Sequence, residues 1–332
     1  MLIAVVVIGL AFDVSNGFHD SSNSIAALVA TRAARPSHAI MLATVFTILG
    51  PVLVATAVAD TIGGIVTLDA SQTLVVLLSA LIAGLAWNIF TWYRGLPASS
   101  SHALVGGLVG AGLVMAGGSA INWGGMDGFR PVGVLGVLIG LAVSPVLGAA
   151  VAWLVMVATR AWVGRATKAF RRPVLGGEWV TAATLSFAHG ANDAQKTMGV
   201  ITLALVAESA IPSFVVPMWV KLSCGVALTL GTAMGGWRIV HTIGRRIYRL
   251  RPFDGVVSSG SSTLIIGVSS ALGAPVSTTH VVSSSVVGVG AARRKKHVDW
   301  LIVRDILLAW VVTMPCCALI AGIVCLVGKA MT

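Results

Sequence analysis

Long apolar runs separated by short polar clusters set the rhythm of this chain. A membrane-spanning helix needs about 20 apolar residues, within a range of roughly 17–25. Uninterrupted stretches of that kind are His38–Ala59, Thr73–Tyr93, Val132–Thr159, Trp179–Ala207, Phe214–Gly235 and Trp300–Val327. Three others are apolar but interrupted. Met1–Thr31 is broken near Asn16–Asn23, Leu96–Ala116 opens on Pro97-Ala98-Ser99-Ser100-Ser101-His102, and Val256–Ala292 is broken at Gly273–His280. The pattern predicts an all-α membrane protein, a multi-spanning helical bundle with broken helices.

The polar clusters between the runs carry a consistent sign. Basic residues gather at Arg32/Arg35, at Arg160, Arg165, Lys168, Arg171 and Arg172, from Arg238 to Arg251, and from Arg293 to Lys296. The Asp60–Ser71 and Glu208–Pro212 segments carry acids and no base, and the Gly117–Arg130 loop carries one of each. Basic loops lie on the cytoplasmic side. The loops then alternate along the chain, and both termini are expected outside, in a multi-pass protein of the cell membrane. The N-terminus has neither a basic region nor an obvious cleavage site, so no removable signal peptide is expected.

Composition agrees with the bilayer. Apolar residues make up 57% of the 332, and only 10% are charged, well below the quarter usual in soluble domains. The net charge of +11 does not indicate nucleic-acid binding, because the basic residues sit between apolar spans and not on a polar face. Cys224, Cys316, Cys317 and Cys325 all lie in apolar runs without metal or disulfide spacing, and read as small buried hydrophobes. No cofactor is expected. In Gly236–Pro252, Ile239, Val240, Ile243, Ile247 and Leu250 share one helical face, with the arginines elsewhere. This reads as an interfacial helix held by anionic membrane lipid; a surface for a cytoplasmic regulatory partner is the alternative.

Two motifs occur twice. Asn16-Gly17-Phe18-His19-Asp20-Ser21-Ser22-Asn23 matches His189-Gly190-Ala191-Asn192-Asp193-Ala194-Gln195-Lys196. Gly95-Leu96-Pro97-Ala98-Ser99-Ser100-Ser101-His102 matches Gly273-Ala274-Pro275-Val276-Ser277-Thr278-Thr279-His280 at nearly the same separation. By the loop signs, the members of each pair approach from opposite faces. Residues 1–159 and 178–332 are therefore expected to be two inverted-topology repeats in one membrane domain, with re-entrant Ser/Thr hairpins and a short cytoplasmic linker at 160–177. Interrupted helices at matching positions of inverted repeats point to a transporter's midplane site.

The motifs carry anion chemistry. Asp20 and Asp193 lie in apolar segments, where a charge costs about 2.5–3.5 kcal/mol and marks a functional site by default. A helix restarted inside the membrane exposes free N–H groups and its positive dipole end. The hydroxyls of Ser99, Ser100, Ser101, Ser277, Thr278 and Thr279 add neutral donors, and a proline before each cluster suits a first helical turn. Arginine is absent from all four motifs, which suits an anion that must be released. A carboxylate there has two readings: it accepts a hydrogen bond from a protonated oxyanion, or it holds a coupling cation, Na⁺ near Asp20 and Asp193 or H⁺. Lys196, in the place of Asn23, either pairs with Asp193 or stands where a cation would bind. His102 and His280 read as caps of the half-helices or as a proton relay.

These four motifs, in order along nearly the whole chain, resemble the inorganic phosphate transporter (PiT) family, in a minimal bacterial form. The resemblance implies a low-affinity symporter of inorganic phosphate driven by H⁺ or Na⁺, and it implies phosphate contacts from Asp20, Asn23, Ser99, Ser100, Asp193, Ser277 and Thr278. Ser101, Asn192 and Thr279 lie beside them as further candidates. Lys196 departs from the asparagine of the first copy. Sulfate or another oxyanion is the competing cargo. A homodimer is left open. An enzyme is not expected: no nucleophile-elbow sequence or His-Glu-x-x-His motif is present.

Overall fold

The structure, a computed structural model, describes residues 1–127, 130–163 and 171–330. Its helices are α1 (Leu2–Ala30), α2 (Pro36–Leu53), α3 (Ala57–Gly63), α4 (Ala70–Arg94), α5 (Ser100–Ala116), α6 (Gly133–Val163), α7 (Arg171–Ala207), α8 (Met218–Met234), α9 (Trp237–His241), α10 (Pro252–Ala271), α11 (Thr278–Arg294) and α12 (Trp300–Ala330). A small antiparallel hairpin, β1 (Gly125–Asp127) and β2 (Arg130–Val132), pairs Gly125 with Val132 ahead of α6. Of the described helices, α1, α2, α4, α5, α6 and α12 are long and apolar enough to cross a membrane, and α8 is a shorter apolar helix. The protein is a multi-pass helical membrane protein. Arg165 and Lys168 of the expected linker lie outside the described residues, while α6 and α7 occupy its ends.

The Gly-x-Pro-x-Ser motifs are helix stops and restarts. Gly95 ends α4 with a left-handed φ of 65°, and Gly273 follows α10 with a φ of 73°. The Gly95 and Leu96 N–H groups return to Trp92 and Thr91, and those of Gly273 and Ala274 to Ser270 and Ser269. Both stops are thus the glycine-terminated double bond pattern that satisfies the last carbonyls of a helix. Ser99 and Ser277 then start α5 and α11, each accepting the N–H three residues on, from His102 and His280. Pro97 and Pro275 precede these caps and do not occupy the first turn; their role is to keep the stopped helix from continuing.

The acidic motifs behave differently. The sequence suggests a break near Asn16–Asn23, but α1 runs through it, and α7 runs through His189–Lys196. The glycines there serve packing. A Cβ on Gly17 would strike the Leu228 carbonyl and Gly231 of α8, and one on Gly190 would strike the Thr47 carbonyl of α2. Glycine costs about 1 kcal/mol in a helix, but it permits the backbone approach that drives membrane helices together. The two halves pack in matching fashion: α1 on α8 and α7 on α2, α5 on α12 and α11 on α6.

Gly236–Pro252 also departs from expectation. It forms α9, a π-helical turn at Thr242–Ile247 and a non-helical end. Ile239, Ile243, Ile247 and Leu250 are buried with Ala26, Val281 and Val289, while Arg238, Arg245, Arg246 and Arg249 are exposed. The apolar face is spent on the protein's own core, so it is not the lipid-embedded face of an interfacial helix.

Candidate functional site

The continuous helices α1 and α7 each carry one acid to the starts of α5 and α11. Asp20 and Asp193 are both fully buried. Consecutive residues of α11 join them: Thr279 Oγ1 donates to Asp20 Oδ1 at 2.7 Å, and Thr278 Oγ1 donates to Asp193 Oδ2 at 3.0 Å. Asn23 Nδ2 donates to Thr279 Oγ1 at 3.0 Å. Lys196 Nζ donates to Asp193 Oδ1 at 2.5 Å and to Ser100 Oγ at 3.2 Å, which ties α7 to the start of α5. Asn192 bridges Asp193 and the Val276 carbonyl, each at 3.0 Å, and Ser101 Oγ donates to that carbonyl at 3.1 Å.

The candidate residues therefore meet in one buried cluster. Asp20, Asn23, Ser100, Ser101, Asn192, Asp193, Thr278, Thr279 and Lys196 form its network. Ser99 and Ser277 stand at its edge, where their hydroxyls cap α5 and α11. His102 Nδ1 lies 2.8 Å from Ser99 Oγ, and the His102 and His280 rings approach at 4.7 Å between centroids. The caps are the serine side chains, so the histidines are not the capping groups. The starts of α5 and α11 converge, which places two sets of unpaired helical N–H groups at one place.

Other members of the site were not singled out from sequence. His19 Nδ1 lies 2.8 Å from Asp20 Oδ1 and its Nε2 lies 3.2 Å from Thr91 Oγ1, while His189 Nδ1 lies 2.8 Å from Asp193 Oδ2. Each acid thus has its own histidine. Both histidines sit inside the repeated motifs, so their nearness to an acid was the available signal. Trp310 stacks on His280 at 3.7 Å, and its Nε1 donates to the Pro97 carbonyl at 3.0 Å, steadying the stretch before α5. A tryptophan in the middle of the apolar run Trp300–Val327 was its only mark.

The two half-sites differ in charge. Asp193 is neutralised by an ammonium with no exposure, whereas Asp20 is held by a hydroxyl and its histidine. Among the described residues no group of three or more His, Cys, Asp or Glu side chains is placed to hold a metal ion.

A bundle of apolar helices enclosing paired acids and converging helix starts defines a multi-pass membrane transport protein. Residues 16–176 and 174–321 match the phosphate transporter family. The chain is 40% identical to the probable low-affinity inorganic phosphate transporter of Rhizobium meliloti strain 1021, over 97% of this chain and 95% of that one. It is 39% identical to the protein of the same description from Bacillus subtilis strain 168, over 97% and 96%. A solved structure titled the sodium-dependent phosphate transporter superposes with a TM-score of 0.88 at 25% identity, covering 100% of this chain and 99% of that one. The chain belongs to the phosphate transporter family. Its work is phosphate transport, and its relatives are transporters and not enzymes.

Proposed function

We propose that the chain moves inorganic phosphate by symport with H⁺ or Na⁺, through alternating access of two inverted-topology repeats, 1–159 and 178–332, about the cluster of Asp20 and Asp193. The observation that carries this reading is the bridge from Thr278 and Thr279 to the two acids. It puts hydroxyl donors, two helix starts and two carboxylates within one small volume.

The carboxylates select for a protonated oxyanion. A hydroxyl has one proton to give. In this arrangement the Thr278 and Thr279 protons are committed to Asp193 and Asp20. An incoming anion takes those donors only if the acids find another hydrogen. Monobasic or dibasic phosphate supplies it as P–OH, while sulfate carries none near neutral pH. Lys196 already offsets Asp193, so Asp20 is the acid best placed to receive P–OH or a cation. Neutral donors and a single ammonium bind phosphate less firmly than a bidentate arginine would, which favours release.

Uptake of labelled phosphate into proteoliposomes tests the reading. Accumulation driven by an imposed pH or Na⁺ gradient is expected, with Asp20→Asn and Asp193→Asn inactive although inserted. Wild-type uptake by both variants, or uptake blocked by sulfate as strongly as by unlabelled phosphate, defeats it.

A further inference from the structure

The helix that carries Asp20 holds a second buried acid outside the phosphate cluster. Asp13 is on α1, two helical turns before Asp20, and has no exposed surface. Thr197 Oγ1 donates to its Oδ1 at 2.5 Å, the Cys224 thiol of α8 stands beside it as a weak donor, and its Oδ2 has no oxygen or nitrogen donor. One turn further along the same face, Asn16 is also fully buried, and neither of its amide atoms is partnered. Asp13, Asn16, Asp20 and Asn23 thus form a polar stripe down one side of an unbroken helix.

The groups facing Asp13 are few. From α7 these are Lys196 and Asp193, already paired with each other, and from α8 the Cys224 thiol. α4 carries no titratable side chain before Tyr93. α9, α10 and α11 touch α1 at Phe18 and beyond, past Asp13. An ionised carboxylate here has one hydroxyl donor, one weak thiol donor and no counter-ion of its own. Burying such a charge costs several kcal/mol, and the group neutralises instead. Oδ1 accepts from Thr197, so the proton belongs on Oδ2.

We propose that Asp13, held by Thr197 and flanked by Asn16, is a proton-carrying site of the transport cycle, distinct from the phosphate cluster. The proposal rests on the symport reading and names its coupling ion. Asp13 binds one proton as the neutral acid while the site is closed and gives it to water when α1 and α7 part. Once ionised, it becomes a second carboxylate acting on Lys196. That weakens the Lys196–Asp193 hold and favours release of phosphate and proton on the same side.

The test compares two assays of the same reconstituted protein. Phosphate exchange at equal pH needs no net proton movement; accumulation under a pH gradient does, with about tenfold accumulation per coupled proton for each unit. Asp13→Asn, which keeps shape and a permanent neutral amide, is expected to go on exchanging phosphate, more slowly than wild type because no ionised Asp13 assists release, and to lose pH-driven accumulation. Asp13→Glu is expected to retain it, with a displaced pH profile. Wild-type accumulation by Asp13→Asn, loss of exchange together with accumulation in that variant, or a wild-type protein driven by Na⁺ and indifferent to pH each overturns the proposal. A wild-type protein that neither exchanges nor accumulates phosphate refutes the transport reading instead.

Discussion

Lys196 Nζ lies 2.5 Å from Asp193 Oδ1, and both side chains are wholly enclosed by protein. The equivalent position of the first half is Asn23, whose amide reaches a threonine and no acid. The two half-sites are therefore alike in backbone and unlike in charge. Removing one partner of a buried ion pair leaves an uncompensated charge and costs about 3–5 kcal/mol. Lys196→Met is thus expected to lower the melting temperature of purified protein sharply. Asp193→Asn is expected to do the same, and Asp20→Asn much less. The Asp193→Asn/Lys196→Met double variant is expected to lose less than the two single losses added together. Equal melting temperatures for Asp20→Asn and Asp193→Asn would show that the asymmetry carries no energy.

The serine caps lead to a second expectation. Ser99 and Ser277 each satisfy an N–H of the helix they begin, part-buried at Ser99 and buried at Ser277, and loss of such a cap costs typically about 1 kcal/mol. Ser99→Ala and Ser277→Ala are expected to weaken phosphate binding, because α5 and α11 lose the first turns that present their N–H groups. Concentration dependence of uptake is the measurement: the half-saturating phosphate rises in both variants while maximal uptake changes less. Replacement by threonine or aspartate, which also cap, is expected to preserve the helix start. An alanine variant with unchanged half-saturation would show that the caps do not position the site.

Much of this was legible from local chemistry. The helix stops at Gly95 and Gly273 and the restarts at Ser99 and Ser277 follow from glycine, proline and serine acting within a few residues. The meeting of Asp20 and Asp193 followed from their recurrence in matched motifs. What misled was a reading of the Asn16–Asn23 stretch, with Gly17 in it, as an interruption of the first apolar run. Whether a glycine ends a helix or admits a neighbour depends on what lies opposite, and Leu228 and Thr47 are far away in the chain. The same limit applied to Ile239, Ile243 and Ile247. An apolar face shows that something covers it, but the sequence does not say whether lipid or protein does. Thr197, the partner of Asp13, could not be found from spacing because the contact joins different helices.

Close packing at the glycines supplies a third test. Gly231 faces the Val14 carbonyl and Gly17 faces the Leu228 carbonyl, so neither has room for a methyl group unless α1 and α8 separate. Gly17→Ala and Gly231→Ala are expected to reduce the yield of folded protein in the membrane, together with its melting temperature. Gly267, on α10, has nothing within 4 Å of the place where a Cβ would stand. There alanine has the better helix propensity by about 1 kcal/mol, so Gly267→Ala is expected to be neutral or stabilising. Yield by fluorescence-detected chromatography separates the cases. Normal folding of Gly17→Ala would mean that α1 and α8 do not rely on this contact.

The start of α10 and the end of α11 are pinned together away from the Asp20–Asp193 cluster. Arg293 reaches Asp254 Oδ1 through Nε at 3.0 Å and through a terminal nitrogen at 2.9 Å. The other oxygen of Asp254 accepts from Tyr248 Oη at 3.0 Å and from the Arg251 N–H at 3.2 Å. Burial, and then the nearby Asp254 charge, push the Tyr248 phenol up to about 12, so it remains a donor across the working pH range. Asp254 is fully buried while Arg293 is 23% exposed, and water softens the loss when the arginine is removed. Arg293→Gln is therefore expected to cost somewhat less than the roughly 3–5 kcal/mol of a fully buried pair. Arg293→Lys keeps the charge but gives up the two-nitrogen contact, and falls between. Because the pin does not touch the cluster, uptake per folded molecule is expected to stay at the wild-type level in both. A selective fall in uptake without a fall in melting temperature would mean that this pair moves during transport and does not simply brace the fold.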